Sequence, residues 1–519
     1  MCGIFGSISN NALQDTYVGL KRLEYRGYDS FGYIALKDGS ADICRRIGGV
    51  DKAAFTSNRR YHAVFGHVRW ATNGEVSIAN SHPQCSESFY VVHNGVIENA
   101  PSHMLDTRWL ANLLELEGDI KKTYHKIEGD NAFVYVNSKT GEVWCAAKGK
   151  RRLFVTPKGY VSSDLNALSG FDEKARALEN SYCRLSYDHP PSASELTYPI
   201  DIPTSREEVV PSESYMLSEI KEQIHFPSNK QPLKIKDGVD ILATGSSLHA
   251  GMFGAYALEQ RGILTRCLHA SQAPYYQLRG NVLAISQSGE TKDIIGAAPE
   301  HFTCMTNTPH SMLYDMSDKN ILLDVGPEHA VAATKTFTMS CMKLSEPIAS
   351  MTTQIKDLID REDEIQSIAR RLMGYDHFLF LGDGQNYPIA LEGALKFKEV
   401  AYVHAEGMPA SEMKHGPIAL VDYKVPSLFI VTGGLSPGIL TNMQEIKSRK
   451  GFLVAITHHA IKHEVDNLAD IVLSCKDTGE QFSQSLVLNI ALQLLSYYIA
   501  VERGINPDRP RNLAKCVTV

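Results

Sequence analysis

Residues 2–8 read Cys2-Gly3-Ile4-Phe5-Gly6-Ser7-Ile8, a potential nucleophile followed at once by a short apolar run between small residues. Such a run predicts a buried strand that anchors the amino terminus in a sheet. A chance cysteine at a frayed terminus is the alternative. If Met1 is removed, Cys2 carries a thiol and a free α-amine, whose ordinary pKa of about 7.7 to 8 suits it to take the thiol proton. The stretch therefore predicts an amino-terminal nucleophile mounted on a sheet.

One helix and many short strands are predicted after this first strand. Apolar residues at helical spacing predict a helix over 13–23, and short apolar or alternating segments predict strands at 33–36, 62–68, 89–92, 132–136, 143–147 and 153–156. This pattern is typical of a layered α+β domain. Five prolines among Ser, Thr and Glu in residues 189–215 predict a linker to the next domain.

Beyond the linker the chain alternates buried strands with longer helices. Strands at 241–243 and 282–285 each run into a Ser/Thr/Gly turn and a helix, as the βα units of a parallel sheet do. A similar opening at 378–382 suggests that a doubly wound α/β unit is duplicated. The apolar segment 486–501 is interrupted by polar residues, which indicates a buried core helix rather than a membrane span.

Composition and charge exclude several classes of function. The 519 residues have a net charge of -7 and a pI near 6.3, so no basic field favours nucleic acid or an anionic membrane. The ten cysteines are scattered without a CxxC pair, and no signal peptide precedes Cys2, which indicates a reducing cytoplasm. His458, His459 and His463 are interpreted as a solvated helix face, and no metal site is predicted.

Three polar groups could work with Cys2 in the first domain. Arg69 could grip a carboxylate through a bidentate fork, and Asp106 could hold an ammonium. Asn94 and Gly95 follow a strand and could stabilise a tetrahedral oxyanion. Each feature alone is ordinary turn chemistry or surface charge. Together with a terminal cysteine they indicate amide hydrolysis.

The second half offers groups suited to phosphate binding and to carbonyl chemistry. The turns at 244–247 and 286–291 could bind phosphate through N–H groups and hydroxyls, although capping of helices is the simpler reading. Glu392, Lys396 and Glu399 share one face of a predicted helix over 388–403, either as a salt-bridged exposed face or as part of a proton-transfer site with His415. Lys515 lies among apolar neighbours, which would favour the neutral amine that forms imines, whereas a merely docked tail is the alternative.

These motifs, in this order, resemble the glutamine:fructose-6-phosphate aminotransferase (isomerising) family along nearly the whole chain. Residues 2–6, 22–30, 67–74 and 92–95 resemble its N-terminal-nucleophile (Ntn) glutaminase domain, and residues 286–291, 334–335, 391–399, 414–417 and 511–519 resemble its two sugar isomerase (SIS) domains. The resemblance implies an α+β Ntn domain over 1–205 and two α/β SIS domains with parallel sheets over 215–370 and 371–519. It also implies a cytoplasmic enzyme without cofactor.

The resemblance assigns roles to individual residues. On the glutamine side it makes Cys2 the nucleophile and Asn94 with Gly95 the oxyanion hole, with substrate contacts from Arg69, Thr72, Gly95 and Asp106 and with Trp70 as a gate for ammonia. On the sugar side it makes Lys515 the imine-forming amine and Glu399 the base that moves a proton between C1 and C2. His415, which the family takes from a neighbouring subunit, would assist ring opening, so a homodimer is implied. The sugar-binding residues would be Ser246, Ser247, Ser286, Gln287, Ser288, Thr291 and Lys396.

The segment from Asn94 to Asp106 is shorter than the family pattern, as if a helix and a strand were missing. We expect a glutaminase that hydrolyses glutamine and passes ammonia inside the protein to fructose 6-phosphate, giving glucosamine 6-phosphate. One rival is an amidotransferase for another ketose phosphate. The other is a sugar-phosphate-binding SIS regulator whose shortened glutaminase domain is impaired.

Overall fold

The computed structural model describes residues 2–37, 40–71, 74–185, 199–203, 214–226, 233, 235, 237–345, 351–433 and 437–516. The described residues fall into two compact units: the first contains the residues up to 203 together with Cys516, and the second runs from residue 214 to Lys515. Most of the predicted linker, residues 189–198 and 204–213, lies outside the described residues, as do Thr72 and the last three residues.

The described part of the first unit contains two antiparallel sheets and three α-helices. The sheets are eight-stranded, in the order β13-β11-β9-β10-β1-β4-β2-β3, and five-stranded, in the order β12-β8-β7-β6-β5. The strands are β1 Gly3–Ile8, β2 Ser30–Lys37, β3 Ser40–Ile47, β4 Ala63–Arg69, β5 Gln84–Cys85, β6 Phe89–Gly95, β7 Asn131–Asn137, β8 Val143–Lys148, β9 Leu153–Val155, β10 Tyr160–Ser162, β11 Lys174–Leu178, β12 Ser181–Leu185 and β13 Ile200–Asp201. The helices are α1 Ala12–Leu23, α2 Asp106–Glu117 and α3 Ile120–Lys126.

The two sheets of the first unit pack face to face between helices. Ile4 of β1 and Val134 of β7 belong to one apolar cluster, which fills the space between the sheets. Leu20 of α1 packs on the outer face of the eight-stranded sheet, whereas Leu110 of α2 packs on the outer face of the five-stranded sheet. The unit is therefore a four-layer αββα sandwich, which confirms the predicted layered α+β class.

The described part of the second unit contains two five-stranded parallel sheets. Their orders are β15-β14-β16-β17-β18 and β20-β19-β21-β22-β23. The strands are β14 Val239–Ala243, β15 Thr265–His269, β16 Val282–Ile285, β17 Thr303–Thr306, β18 Lys319–Leu322, β19 His377–Leu381, β20 His404–Met408, β21 Ser427–Ile430, β22 Leu453–His458 and β23 Ile471–Cys475. The helices are α4 Tyr215–Glu222, α5 Gly245–Gln260, α6 Lys292–Ala297, α7 Met312–Met316, α8 Lys335–Leu344, α9 Thr352–Asp360, α10 Glu362–Leu372, α11 Asn386–Ala401, α12 Pro437–Lys447, α13 Lys462–Val465 and α14 Gln481–Glu502.

The duplication suggested by the sequence is present in the strand order. In the first sheet β15 pairs with one edge of β14, and β16, β17 and β18 follow in order on the other side of β14. In the second sheet β20 pairs with one edge of β19, and β21, β22 and β23 follow on the other side of β19. In such sheets ligands bind at the carboxyl ends of the strands, where the order reverses. The turns after β14 and β16, and the start of α11 after β19, lie at these ends.

Helix α14 connects the two parallel-sheet halves through their common core. It has the length and apolarity of a membrane span, but 94% of the relevant window is buried inside the protein. Its side chains pack in one cluster with those of α5, α10 and α11, which confirms the prediction of a core helix.

His458 was predicted to lie on a solvated helix face, and this prediction is wrong. His458 is the last residue of β22, is buried and pairs with Asp477.

Candidate functional site

Cys2 directly precedes β1, the strand that lies between β4 and β10 near the middle of the eight-stranded sheet. The N–H of Ile4 donates to the Ser163 hydroxyl at 3.0 Å, and the N–H of Ser163 donates to the Ile4 carbonyl at 2.9 Å. A Cβ at Gly3 would lie 2.9 Å from Val68, so only glycine fits beside the nucleophile. The terminus is thus anchored, and the alternative of a frayed end is wrong.

The Cys2 thiol lies within the electrostatic reach of two opposite charges. Its Sγ donates to the Trp70 carbonyl at 3.7 Å. Burial raises the pKa of the Cys2 thiol, the Trp70 carbonyl and the Arg69 guanidinium oppose that rise, and the Asp106 carboxylate adds to it. A cation and an anion near one nucleophile match the carboxylate and ammonium of a free amino acid.

Both charged side chains are held by neighbouring backbone. The buried Arg69 donates to the carbonyls of Gly74 and Glu75 at 3.3 and 3.4 Å. Asp106 is the first residue of α2, and its carboxylate accepts the N–H of Thr107 at 2.7 Å and of Ile97 at 3.3 Å. The short segment after β6 therefore ends at Asp106, whose carboxylate is fixed by the backbone at the start of α2 and after β6.

Asn94 and Gly95 end β6, the strand that pairs with β5 and β7. Asn94 is buried, and Gly95 has a φ of +148°, where a Cβ would approach the Asp130 carbonyl to 2.1 Å. The glycine is therefore required by the close approach of the neighbouring backbone. Trp70 is half-buried, with its ring edge-on to Tyr28.

A buried histidine network behind these residues was not predicted. The Thr107 hydroxyl lies 3.1 Å from His82 Nε2, 3.0 Å from His93 Nδ1 and 3.3 Å from an Asp106 oxygen. His93 Nε2 also contacts Asn131 Oδ1 at 2.9 Å. Burial lowers the pKa of both His82 and His93, so the rings are neutral and act as hydrogen-bonding groups. His93 was visible in the sequence only as the residue before Asn94, and His82 gave no signal.

In the second unit, the two Ser/Thr turns have different partners. Ser286 and Thr291 bond to each other through their hydroxyls at 2.9 Å, and Ser288 accepts the N–H of Glu290 at 3.1 Å. Gln287 lies in the same turn after β16, and Ser247 lies in the first turn of α5. Ser246 donates to Glu392 at 2.8 Å and accepts from Lys396 at 3.2 Å. Ser246 thus joins the turn after β14 to the charged cluster on α11.

The charged cluster on α11 is buried, so the alternative of an exposed salt-bridged face is wrong. Lys396 Nζ lies 2.6 Å from Glu399 and 3.2 Å from Glu392, and both Lys396 and Glu392 are fully buried. Burial lowers the pKa of Lys396, but the charges of Glu392 and Glu399 outweigh it and the net shift is upward. One buried amino group therefore contacts two carboxyl groups, of which only Glu399 is partly exposed. His249, which also bonds to Glu392 at 2.8 Å, was not predicted.

The sequence predicts purely apolar neighbours for Lys515, and this prediction is wrong. Its side chain is 4% exposed, and its Nζ lies 2.5 Å from a carboxylate oxygen of the fully buried Glu328. A buried carboxylate therefore faces the Lys515 nitrogen, where apolar neighbours were expected. Glu328 lies in the loop before α8 and carried no functional prediction.

His415 ends a 3₁₀ helix over Ala410–His415 and is exposed. Within the described residues of this chain, no hydrogen bond or ion pair joins His415 to Glu399 or Lys515. The other predicted sugar-site residues lie at the carboxyl ends of the parallel strands or on α5 and α11.

Comparison with known proteins gives matches over the full chain. The SIS domain family matches residues 233–345 and 372–503. The glutamine–fructose-6-phosphate aminotransferase (isomerizing) of Francisella tularensis subsp. tularensis is 32% identical over 615 residues, and that of Aquifex aeolicus is 32% identical over 598 residues, with 100% of both chains covered in each case. These alignments are longer than the 519 residues of this chain, so the relatives contain segments that it lacks.

A solved structure matches the second unit. The C-terminal domain of glucosamine-fructose-6-phosphate aminotransferase from Francisella tularensis is 31% identical, with a TM-score of 0.52. The match covers 57% of this chain and 98% of that chain.

Proposed function

The chain belongs to the family of isomerising glutamine–fructose-6-phosphate aminotransferases, and from this membership we propose how its residues divide the reaction. It is a glutamine-dependent isomerising amidotransferase, and its substrates are glutamine and fructose 6-phosphate. We assign glutamine hydrolysis to residues 1–205 and sugar chemistry to SIS domains over 215–370 and 371–519, in the cytoplasm and without a cofactor.

In the proposed glutaminase, Cys2 attacks the side-chain amide of glutamine once Met1 is removed. Its own α-amine takes the thiol proton, while Asn94 and Gly95 stabilise the oxyanion. Arg69 and Asp106 hold the α-carboxylate and the α-ammonium. The observation that carries this assignment is that Gly3 pairs with Val68, which places Cys2 beside Arg69 at the end of β4, and that the Cys2 thiol donates to the Trp70 carbonyl. Thr72 keeps its proposed place in the pocket although it lies outside the described residues, and Trp70 is proposed as the gate for ammonia.

In the proposed sugar site, Ser247, Ser286, Gln287, Ser288 and Thr291 hold the phosphate. Lys515 forms an imine with the open-chain ketose, and Glu399 then transfers the proton between C1 and C2. The 2.6 Å contact with Lys396 supports this role, because the buried Lys396 side chain holds the carboxyl group of Glu399 in one position. Ser246 and Lys396 are assigned to orientation of the sugar hydroxyls.

His415 is assigned to ring opening in the site of a second subunit, which makes the active protein a homodimer. Its exposure in the isolated chain supports this assignment, since an exposed histidine is available to a partner. Sedimentation analysis should give a dimer, and mixing His415→Ala with Lys515→Ala chains should restore activity if the two residues act from different subunits.

The proposed function is tested by incubating the full chain with glutamine and fructose 6-phosphate, followed by mass spectrometry of the sugar. We expect glucosamine 6-phosphate and glutamate. Glutamate without any amino sugar would point to another ketose phosphate as acceptor, which parallel reactions with other ketose phosphates would identify. Absence of glutamate would favour a regulator with an impaired glutaminase.

A further inference from the structure

The buried ion pair between Lys515 and Glu328 is built into the start of α8. One carboxylate oxygen of Glu328 accepts the N–H groups of Thr334 and Thr336 at 3.0 Å each. The other oxygen accepts the Thr336 hydroxyl at 2.7 Å and the Lys515 ammonium at 2.5 Å. The carboxylate is therefore fixed by groups of the protein and has one oxygen directed at the amine.

Glu328 is ionised at neutral pH although it is fully buried. Burial raises the pKa of Glu328, but Lys515 and the N–H groups of Thr336 and Thr334 outweigh burial and lower that pKa to about 2. A buried carboxylate without a cation would be strongly destabilising. The site therefore requires one positive charge at the position of the Lys515 nitrogen.

Formation of an iminium ion keeps that positive charge in place. The Nζ–C2 bond forms, the C2–O bond breaks, and the oxygen leaves as water with two of the three ammonium protons. The nitrogen is a cation before the step and after it, so a single fixed carboxylate balances both states.

We propose that Glu328 is the counter-ion of the Lys515 iminium, a positioning residue that holds Nζ in the site and balances its charge while the imine exists. This inference rests on the proposed role of Lys515 as the imine-forming amine. It adds to that role a partner that the sequence motifs did not indicate.

The other charged groups around the pair do not replace Glu328. Glu219 of α4 accepts the N–H groups of His329 and Ala330, and burial together with the charge of Glu328 raises the pKa of Glu219 to about 8. Glu219 is therefore a largely neutral acid at neutral pH. Lys335 of α8 is paired with Glu222 of α4 at 2.5 Å. Glu328 is thus the carboxylate that carries the negative charge beside Lys515.

The test is borohydride trapping with fructose 6-phosphate, with the modified lysine located by peptide mass spectrometry across the neutral to alkaline pH range. Glu328→Gln removes the charge and retains the shape. We expect trapping at Lys515 to fall about tenfold or more, as hydrogen bonds to charged groups contribute that much to an equilibrium. The pH above which trapping declines should also move downward, because the iminium ion loses the charge that stabilises it. Glu328→Asp should restore part of both.

Thr336→Val is the matched control, since it removes a hydrogen bond to the same oxygen and leaves the charge. Its trapping should stay within about threefold of the parent. Binding of a hexitol 6-phosphate, which has no carbonyl, should be unchanged in Glu328→Gln and reports an intact fold.

The outcomes distinguish failure of the proposed role of Lys515 from failure of the proposed role of Glu328. A parent protein without any sugar adduct at Lys515 overturns the proposed role of Lys515. A parent that is trapped at Lys515, with an equal yield and pH profile in Glu328→Gln, overturns the counter-ion alone. If Glu328→Gln does not fold, Glu328→Asp decides, because it keeps the charge but withdraws the carboxylate from Nζ. A yield and pH profile equal to those of Thr336→Val would then show that the placement of this carboxylate does not matter to Lys515, and would overturn its positioning role.

Discussion

Replacing Asp106 with Asn should affect glutamine binding and thiol reactivity in opposite directions. The carboxylate is proposed to hold the glutamine ammonium, and its negative charge raises the pKa of the Cys2 thiol. Asn has nearly the same shape, and its carbonyl oxygen can still accept the Thr107 N–H that starts α2. The substitution therefore removes a charge and leaves the helix.

The magnitude follows from the burial of the carboxylate. Loss of one partner from a buried charge pair costs about 2 to 5 kcal/mol. The Asp106 side chain is 19% exposed, so we expect the lower end of that range. About 2 kcal/mol corresponds to an increase of about 30-fold in the glutamine KM.

The thiol should become more reactive in the same variant. Without the nearby anion, the pKa of Cys2 falls, so a larger fraction is thiolate at neutral pH. The rate of Cys2 alkylation by iodoacetamide, followed against pH, should shift to lower pH. Steady-state glutamate release gives the glutamine KM of the same samples.

Asp119→Asn is the matched control, because Asp119 caps α3 through its side chain but is exposed. It should leave the glutamine KM and the alkylation profile of Cys2 unchanged. If Asp106→Asn also leaves both unchanged, the carboxylate does not face the glutamine pocket, and another acidic residue holds the ammonium.

Three further outcomes are expected. Cys2→Ala should abolish glutamate release and spare binding of sugar phosphate, whereas Cys44→Ala, at another half-buried cysteine of the first unit, should retain glutamate release. Residual glutamate release by Cys2→Ala would exclude Cys2 as the nucleophile. Glu399→Gln should still give a borohydride adduct at Lys515 but lower amino-sugar formation by about a hundredfold or more, and equal turnover would assign the base elsewhere. The pKa of Glu328 falls from its ordinary value of 4.5 to about 2 in the fold, so its ionised form stabilises the fold at pH values above 4.5, and about 3 kcal/mol of unfolding free energy should be lost as the pH falls from 4.5 towards 2. Urea unfolding at a series of pH values measures this loss, and a parent no more acid-sensitive than Glu328→Gln would contradict it.

Much of the fold was predictable because local patterns report burial. The apolar run at 3–8 predicted β1, and the strand-turn-helix openings at 241 and 378 predicted two similar parallel sheets. In each case a short run of apolar side chains must be removed from water. The spacing of these side chains is set by the local secondary structure, so it can be read from neighbouring residues alone.

The candidate site was predictable in part, where a motif and its partners lie close together in the chain. Lys396 and Glu399 share a helix face, and the sequence placed them together correctly. It did not decide whether that face meets water. The same spacing serves an exposed ion pair and a buried cluster, and only the packing of α11 against α5 and α14 removes the solvent.

By itself, the sequence determined the class of both units, the position of Cys2 directly before a buried strand and the family of the enzyme. The tertiary structure alone decided that a neutral histidine network lies behind Asp106 and that Glu328 faces Lys515 across 187 positions of sequence. The physical reason is that a charge on a buried side chain is balanced by whichever group the fold brings to it, and no local periodicity specifies that group.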